Sequence, residues 1–234
     1  MKLSYAPWRP TLDWNTPAGK TLRALVAALP KEYRFGITVF GSAPLQLAMD
    51  RHFLSADVDI FSEDDFCDLI RELGLGKGQR SVYIEQARTT FFRSSMDWQA
   101  RAFTTTVENV EFCLPHPIDL LVSKLQRLAP KDLAAFKMVQ AKTGFPRERD
   151  LIRALQSAVD LYRPPLPGER PAGDMFQNTQ TVWRELFGRR IDVQKRIIQP
   201  VLAERAEAYG LNLPNWKEHL AHLKRPRKRR RTRQ

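Results

Sequence analysis

One stretch constrains this chain more than any other: Phe35-Gly-Ile-Thr-Val-Phe-Gly-Ser42, then a short helical pattern, then Ala56-Asp-Val-Asp-Ile-Phe61. Phe35 to Phe40 is aromatic and β-branched, the composition of a buried strand. It runs straight into Gly41-Ser42, and a helical pattern follows through Asp50. In the second run acids alternate with apolar residues, so a strand there puts Asp57 and Asp59 on one face, roughly 7 Å apart at the backbone, with Val58 and Ile60 on the other. Two carboxylates on one face repel each other. A hard divalent cation between them removes the repulsion, because Mg²⁺ takes carboxylate oxygens and fills its shell with water and phosphate. A strand-to-helix turn at Gly41-Ser42 offers free N–H groups and a helix dipole to a phosphate. Each half also has an ordinary explanation, a solvated strand edge or a common turn. The order strand, Gly-Ser, helix, Asp-x-Asp is what makes the pattern specific.

The rest of the chain sets that pattern in a mixed α/β (α+β) frame: a small mixed sheet flanked by helices, then a helical C-terminal region and a basic tail. Residues 1–16 read as an irregular arm. Leu22, Leu25, Val26 and Leu29 form the stripe of an amphipathic helix that Pro30 closes. Ser62 precedes a helix expected to stop at Gly74. Residues 81–87 and 89–94 read as paired strands, and 110–114 as another. Helical patterns follow from Pro117, over 131–142 and over 147–162, so residues 17–162 form the first domain. Residues 163–173 are a proline-rich linker. Helices over 175–187, 190–209 and 214–223 make up a C-terminal region, 174–223.

Charge concentrates at the end of the chain. The net charge is +12, and Lys224, Arg225, Arg227, Lys228, Arg229, Arg230, Arg231 and Arg233 supply eight positive charges with no acid among them. Such a run is disordered when free and suits a polyphosphate partner, so nucleic acid is an expected contact. The plainer alternative is a targeting or solubilising tail. Two cysteines, Cys67 and Cys113, make no disulfide framework, and a reducing, cytoplasmic setting is expected. No run approaches the ~20 apolar residues that span a bilayer, so no membrane partner is expected.

The segment from Val39 to Phe61 resembles the signature of the DNA polymerase β-like nucleotidyltransferase superfamily. Pro117-Ile-Asp-Leu-Leu-Val-Ser-Lys124, Pro130-Lys-Asp132 and Asp97-Trp-x-x-Arg101 resemble further elements of one branch, which includes the bacterial abortive-infection nucleotidyltransferase toxins. The likeness covers about residues 35–145. It implies a metal-dependent transfer of a nucleoside monophosphate from an NTP to an acceptor hydroxyl. Gly41 and Ser42 would hold the triphosphate, Asp57 and Asp59 would bind Mg²⁺ or Mn²⁺, Lys124 would neutralise phosphate charge, and Asp132 would act near the acceptor. RNA is the acceptor that the toxin branch implies, and a cognate antitoxin protein is a further implied partner.

The pattern is incomplete. Ala135 stands where relatives often carry an acid, and the third carboxylate has no clear owner; Asp97, Glu111 and Asp119 are the candidates. Asp119 and Asp132 each also suit a helix's first turn, where an acid complements the dipole. Lys124 lies roughly 140° around the helix from Asp119, so the two do not share a face. A non-catalytic nucleic-acid-binding or regulatory module on the same scaffold therefore stays open, as does a toxin–antitoxin component that docks a partner through its helices.

Overall fold

A computed structural model describes residues 8–53, 56–87, 92–163 and 173–209. The architecture is mixed α+β, with helix α1 (Pro17–Ala28), strand β1 (Phe35–Val39), α2 (Ala43–Ala48), β2 (Asp57–Phe61), α3 (Cys67–Glu72), β3 (Tyr83–Gln86), β4 (Phe103–Val107) and β5 (Val110–Leu114). Helices α4 (Pro117–Lys124), α5 (Pro130–Thr143), α6 (Glu148–Ser157), α7 (Met175–Phe187) and α8 (Gln199–Tyr209) follow, with a turn of π-helix, Gln194–Ile198, leading into α8. Among the described residues no helix is long and apolar enough to cross a membrane.

The five strands lie in the order β3-β2-β1-β5-β4. β1 pairs antiparallel with β2 and parallel with β5. β3 pairs parallel with β2, and β4 antiparallel with β5. Alternation divides the faces. Ile37, Val39, Val58, Ile60, Ile84, Val110, Phe112 and Leu114 point into a core with Leu22, Leu25 and Val26 of α1 and Ile70 of α3. The opposite face carries the polar partners of those residues, Asp57, Asp59 and Glu85 among them.

Helix α1 begins where Thr16 Oγ1 accepts the Gly19 N–H, 3.1 Å away, with Pro17 at the first position that needs no N–H. Trp14 of the preceding arm packs against Phe112 with the rings tilted, 5.2 Å between centroids, so the described part of the arm packs on the sheet core. Gly74, at φ +63, ends the turn after α3, as the glycine in Gly-Leu-Gly-Lys-Gly predicts. A second core joins Leu121, Phe136 and Leu155 to Met175, Val182, Trp183 and Ile197. Helices on both sides of the proline-rich segment thus share one apolar cluster.

Three expectations change. The 81–87 segment does form a strand, but its partner is β2 rather than a following hairpin strand. Of 89–94, residues 89–91 lie outside the described residues and 92–94 are not strand. Phe103-Thr-Thr-Thr-Val107 is a strand that the sequence pattern did not place; its signal was a β-branched run before the two-residue turn Glu108-Asn109. Cys67 and Cys113 are free thiols, both half-buried. The 214–223 helix and the tail of Lys224 to Arg233 lie outside the described residues.

Candidate functional site

The site grows from the end of β1. Phe40 N–H donates to Asp59 O (2.8 Å), extending the β1–β2 ladder by one rung and setting Gly41 directly beside Asp59. Gly41 takes φ +69, a conformation glycine adopts without cost. A Cβ at this position would also overlap Asp59 Oδ2. Any other residue here strains the backbone and pushes the carboxylate aside.

Asp57 and Asp59 share a face, as alternation requires. In the parallel register of β2 with β3, Asp59 is paired with Glu85. Neighbouring strands run about 4.8 Å apart, and Asp57, Asp59 and Glu85 each place one carboxylate oxygen within 4.8 Å of the others. Burial pushes the Asp59 carboxyl above its ordinary range, and the negative charges of Asp57 and Glu85 push it further; Lys124 and Lys131 pull the other way. Lys131 Nζ lies 3.9 Å from Asp57 Oδ1, and Lys77 Nζ 3.8 Å from Glu85 Oε1.

On the other side of the turn, α4 delivers Lys124. Its ammonium donates to Ser42 Oγ at 3.0 Å and to Asp132 Oδ1 at 2.9 Å. Asp132 is fully buried, and its second oxygen accepts the Ala129 N–H at 2.8 Å at the start of α5. Asp132 therefore takes the first-turn place in its helix that its position suggested, and it also meets Lys124, a contact the sequence did not show. Ser42 adopts helical dihedrals at the head of α2, and Pro44 removes one N–H from that first turn. The N–H groups left to a phosphate are those of the Gly41-Ser42-Ala43 turn.

The three candidates for a third carboxylate lie elsewhere. Asp119 Oδ1 accepts hydrogen bonds from Ser94 Oγ (2.8 Å), Ser95 Oγ (2.9 Å) and Arg101 Nη2 (2.8 Å), while Oδ2 accepts from Arg101 Nε (3.1 Å). Its carboxylate is saturated by the 94–101 segment. Asp97 pairs with Arg101 Nη1 at 2.8 Å and accepts from Ser157 Oγ at 3.3 Å. Burial opposes the charge on Asp97, yet the hydrogen bonds and charge of Arg101 outweigh it and hold the carboxyl below its ordinary range. Glu111 shares the sheet face of Asp57 and Asp59 but is paired with Gly36. Gly36 is four residues before Phe40, so Glu111 stands ~13 Å down the strand from the acids. Asp97 and Asp119 instead anchor Arg101 and the loop holding Trp98. Trp98 meets Phe40 edge-on at 5.9 Å and Phe92 at 5.0 Å, which props the residue just before Gly41.

Glu85 is the site residue that sequence reasoning missed. Its strand was recognised and its side chain lay on the polar face. What sequence did not show was that β3 runs parallel beside β2 in the register that opposes Glu85 to Asp59.

Comparison of the chain with family models, with curated proteins and with solved structures gives no match.

Proposed function

We propose that the chain is a metal-dependent nucleotidyltransferase that moves a nucleoside monophosphate from an NTP to an acceptor hydroxyl. One observation carries the reading: three carboxylates on one open sheet face adjoin a Gly-Ser turn whose serine is held by a buried lysine. The donor set of Asp57, Asp59 and Glu85 is all oxygen and suits Mg²⁺ or Mn²⁺. The Asp59 carboxyl is raised first by burial and then by the charges of Asp57 and Glu85, and a cation would offset both. A cation held there supplies neutralisation of the triphosphate and of the attacking and leaving oxygens.

The chain's own residues do the rest. The Gly41 and Ser42 backbone, with a helix start behind it, orients the phosphates. Lys124 holds its positive charge beside Ser42 and faces the charge that develops on the leaving pyrophosphate. The acceptor oxygen bonds to the α-phosphorus as the bond to the β-phosphate oxygen breaks, and the hydroxyl proton leaves to water or an unligated carboxylate oxygen. Asp132 has both oxygens engaged within the protein, so its part is to position Lys124 rather than to take that proton.

RNA, through the basic tail, is the acceptor class the charge supports, and a protein side chain is the alternative. Incubation with each α-labelled NTP, Mg²⁺ or Mn²⁺ and total cellular RNA tests the activity; label in RNA, lost in Asp57→Asn, is the expected result. One observation favours the rival reading of a non-catalytic nucleic-acid-binding or regulatory module: Lys77 and Lys131 stand against Glu85 and Asp57, where they offset the acids without a metal. Absence of label with every NTP, together with intact RNA binding, would select it.

A further inference from the structure

An arginine-rich concavity lies on α6 and the π turn. Its volume is about 500 Å³, and its lining includes Arg147, Arg149, Arg153 and Arg196 with Glu148 and Ile152. The local acids are largely engaged. Glu148 is bridged by Arg189, and Asp150 accepts from Arg147 Nε at 2.7 Å and lies 3.8 Å from Arg149 Nε. Among the described residues, Arg153 and Arg196 have no carboxylate partner.

The backbone explains how two elements aim cations into one cleft. A π turn closes i→i+5 hydrogen bonds, is rare, and occurs frequently at functional sites. Here Gln199 N–H donates to Gln194 O. The wider turn lets residues four and five apart share a face, so Val193, Ile197 and Ile198 are all buried while Lys195 and Arg196 stay outside. Gln156 of α6 donates its side-chain amide to the Arg196 carbonyl at 3.0 Å, which ties the two walls together. Arg153 and Arg196 are thus solvated cations on a packed frame, and Ile152 adds an apolar patch to the same lining.

We propose that this cleft binds the phosphodiester backbone of a nucleic acid. Guanidinium forks match phosphate oxygens in pairs, and several of them along one groove suit a linear array of phosphates better than a single anion. The eight-cation tail of the same chain fits the same ligand chemistry. The proposal stands apart from the metal-site reading, because it concerns binding and needs neither NTP nor metal.

The test is a titration of full-length protein with a fluorescent 20-nucleotide single-stranded RNA at several salt concentrations, in EDTA. Arg153→Ala with Arg196→Ala should weaken binding at least tenfold near 100 mM salt. It should also lower the slope of log affinity against log salt by about 1.4, at ~0.7 for each phosphate no longer neutralised. Both side chains are exposed, so thermal unfolding should not move. Arg34→Ala with Arg80→Ala removes the same charge outside the cleft and should change affinity by less than threefold. Equal losses in the two pairs, or an unchanged slope in the cleft pair, would overturn the proposal. So would arginine-dependent capture of a Glu-rich peptide without any of RNA.

Discussion

Lys124 and Asp132 form a buried ion pair, 2.9 Å from ammonium to carboxylate, with the two side chains 6% and 0% exposed. The pair joins the end of α4 to the start of α5, and through Ser42 it reaches the turn after β1. Breaking one side of such a pair strands a charge in the interior, which costs about 3–5 kcal/mol. Asp132→Asn should therefore lower stability by about 3 kcal/mol and weaken NTP binding together. Lys124→Met with Asp132→Leu should recover much of the stability while NTP binding stays lost. Urea unfolding and ATP titration on the three proteins check it; normal stability in Asp132→Asn would mean the pair does not hold the site.

Asp59 predicts an opposite sign. Its folded carboxyl titrates above the ordinary value of 3.8, so ionising it near neutrality opposes folding. Asp59→Asn should stabilise the metal-free protein at pH 7. The gain should vanish as pH falls below 3.8, where both folded and unfolded wild type are protonated. Divalent-cation binding and transfer should be lost in the same variant. A destabilised Asp59→Asn at pH 7 would show that burial and the neighbouring acids do not disfavour the Asp59 charge as described.

Glu85 and Glu111 separate geometry from composition. Both are exposed acids on the same sheet face, but only Glu85 stands beside Asp59. Glu85→Gln should weaken Mn²⁺ binding at least tenfold, about 1.4 kcal/mol. Glu111→Gln should leave it unchanged. Calorimetric Mn²⁺ titration distinguishes them, and equal effects would remove Glu85 from the site.

His116 sets an acid limit on the fold. Its Nδ1 accepts the Ile118 N–H at 3.1 Å as the cap of α4, so the neutral ring is the useful form. Burial pushes its pKa down to about 4, against 6.5 in the unfolded chain; Asp119 raises it and Arg101 lowers it. The unfolded state therefore takes up the extra proton between these values. Stability from this group is complete above about 6.5, declines as pH falls to about 4, and is worth between about 3 and 4 kcal/mol at most. His116→Asn keeps a capping acceptor and should show a shallower loss of stability across that window in urea unfolding series.

The tail makes a separate prediction. Deleting residues 224–234 should weaken nucleic-acid binding for every sequence and flatten the salt slope by several units, because each phosphate neutralised contributes about 0.7 to 0.9. NTP affinity should not change. Salt titrations of the full-length and shortened chains decide it, and an unchanged slope would leave the tail a targeting or solubility element.

The amino-acid sequence by itself determined the elements whose cause is local. Alternation in Asp57-Val-Asp-Ile put two acids on one face, Gly41-Ser42 marked the strand-to-helix turn, and the apolar stripe of α1 declared its buried side. Lys124 and Asp132 were both visible as candidates because each sits in a short motif. Only tertiary structure decided what they touch. Asp132 meets Lys124 because two helices abut, and Glu85 meets Asp59 because β3 crosses over to lie parallel to β2. Asp119, an equally plausible acid on paper, is consumed by Arg101. A strand's period tells which way a side chain points, since that follows from the backbone of a few residues. Which strand lies alongside, and in what register, is set by core packing across the whole sheet.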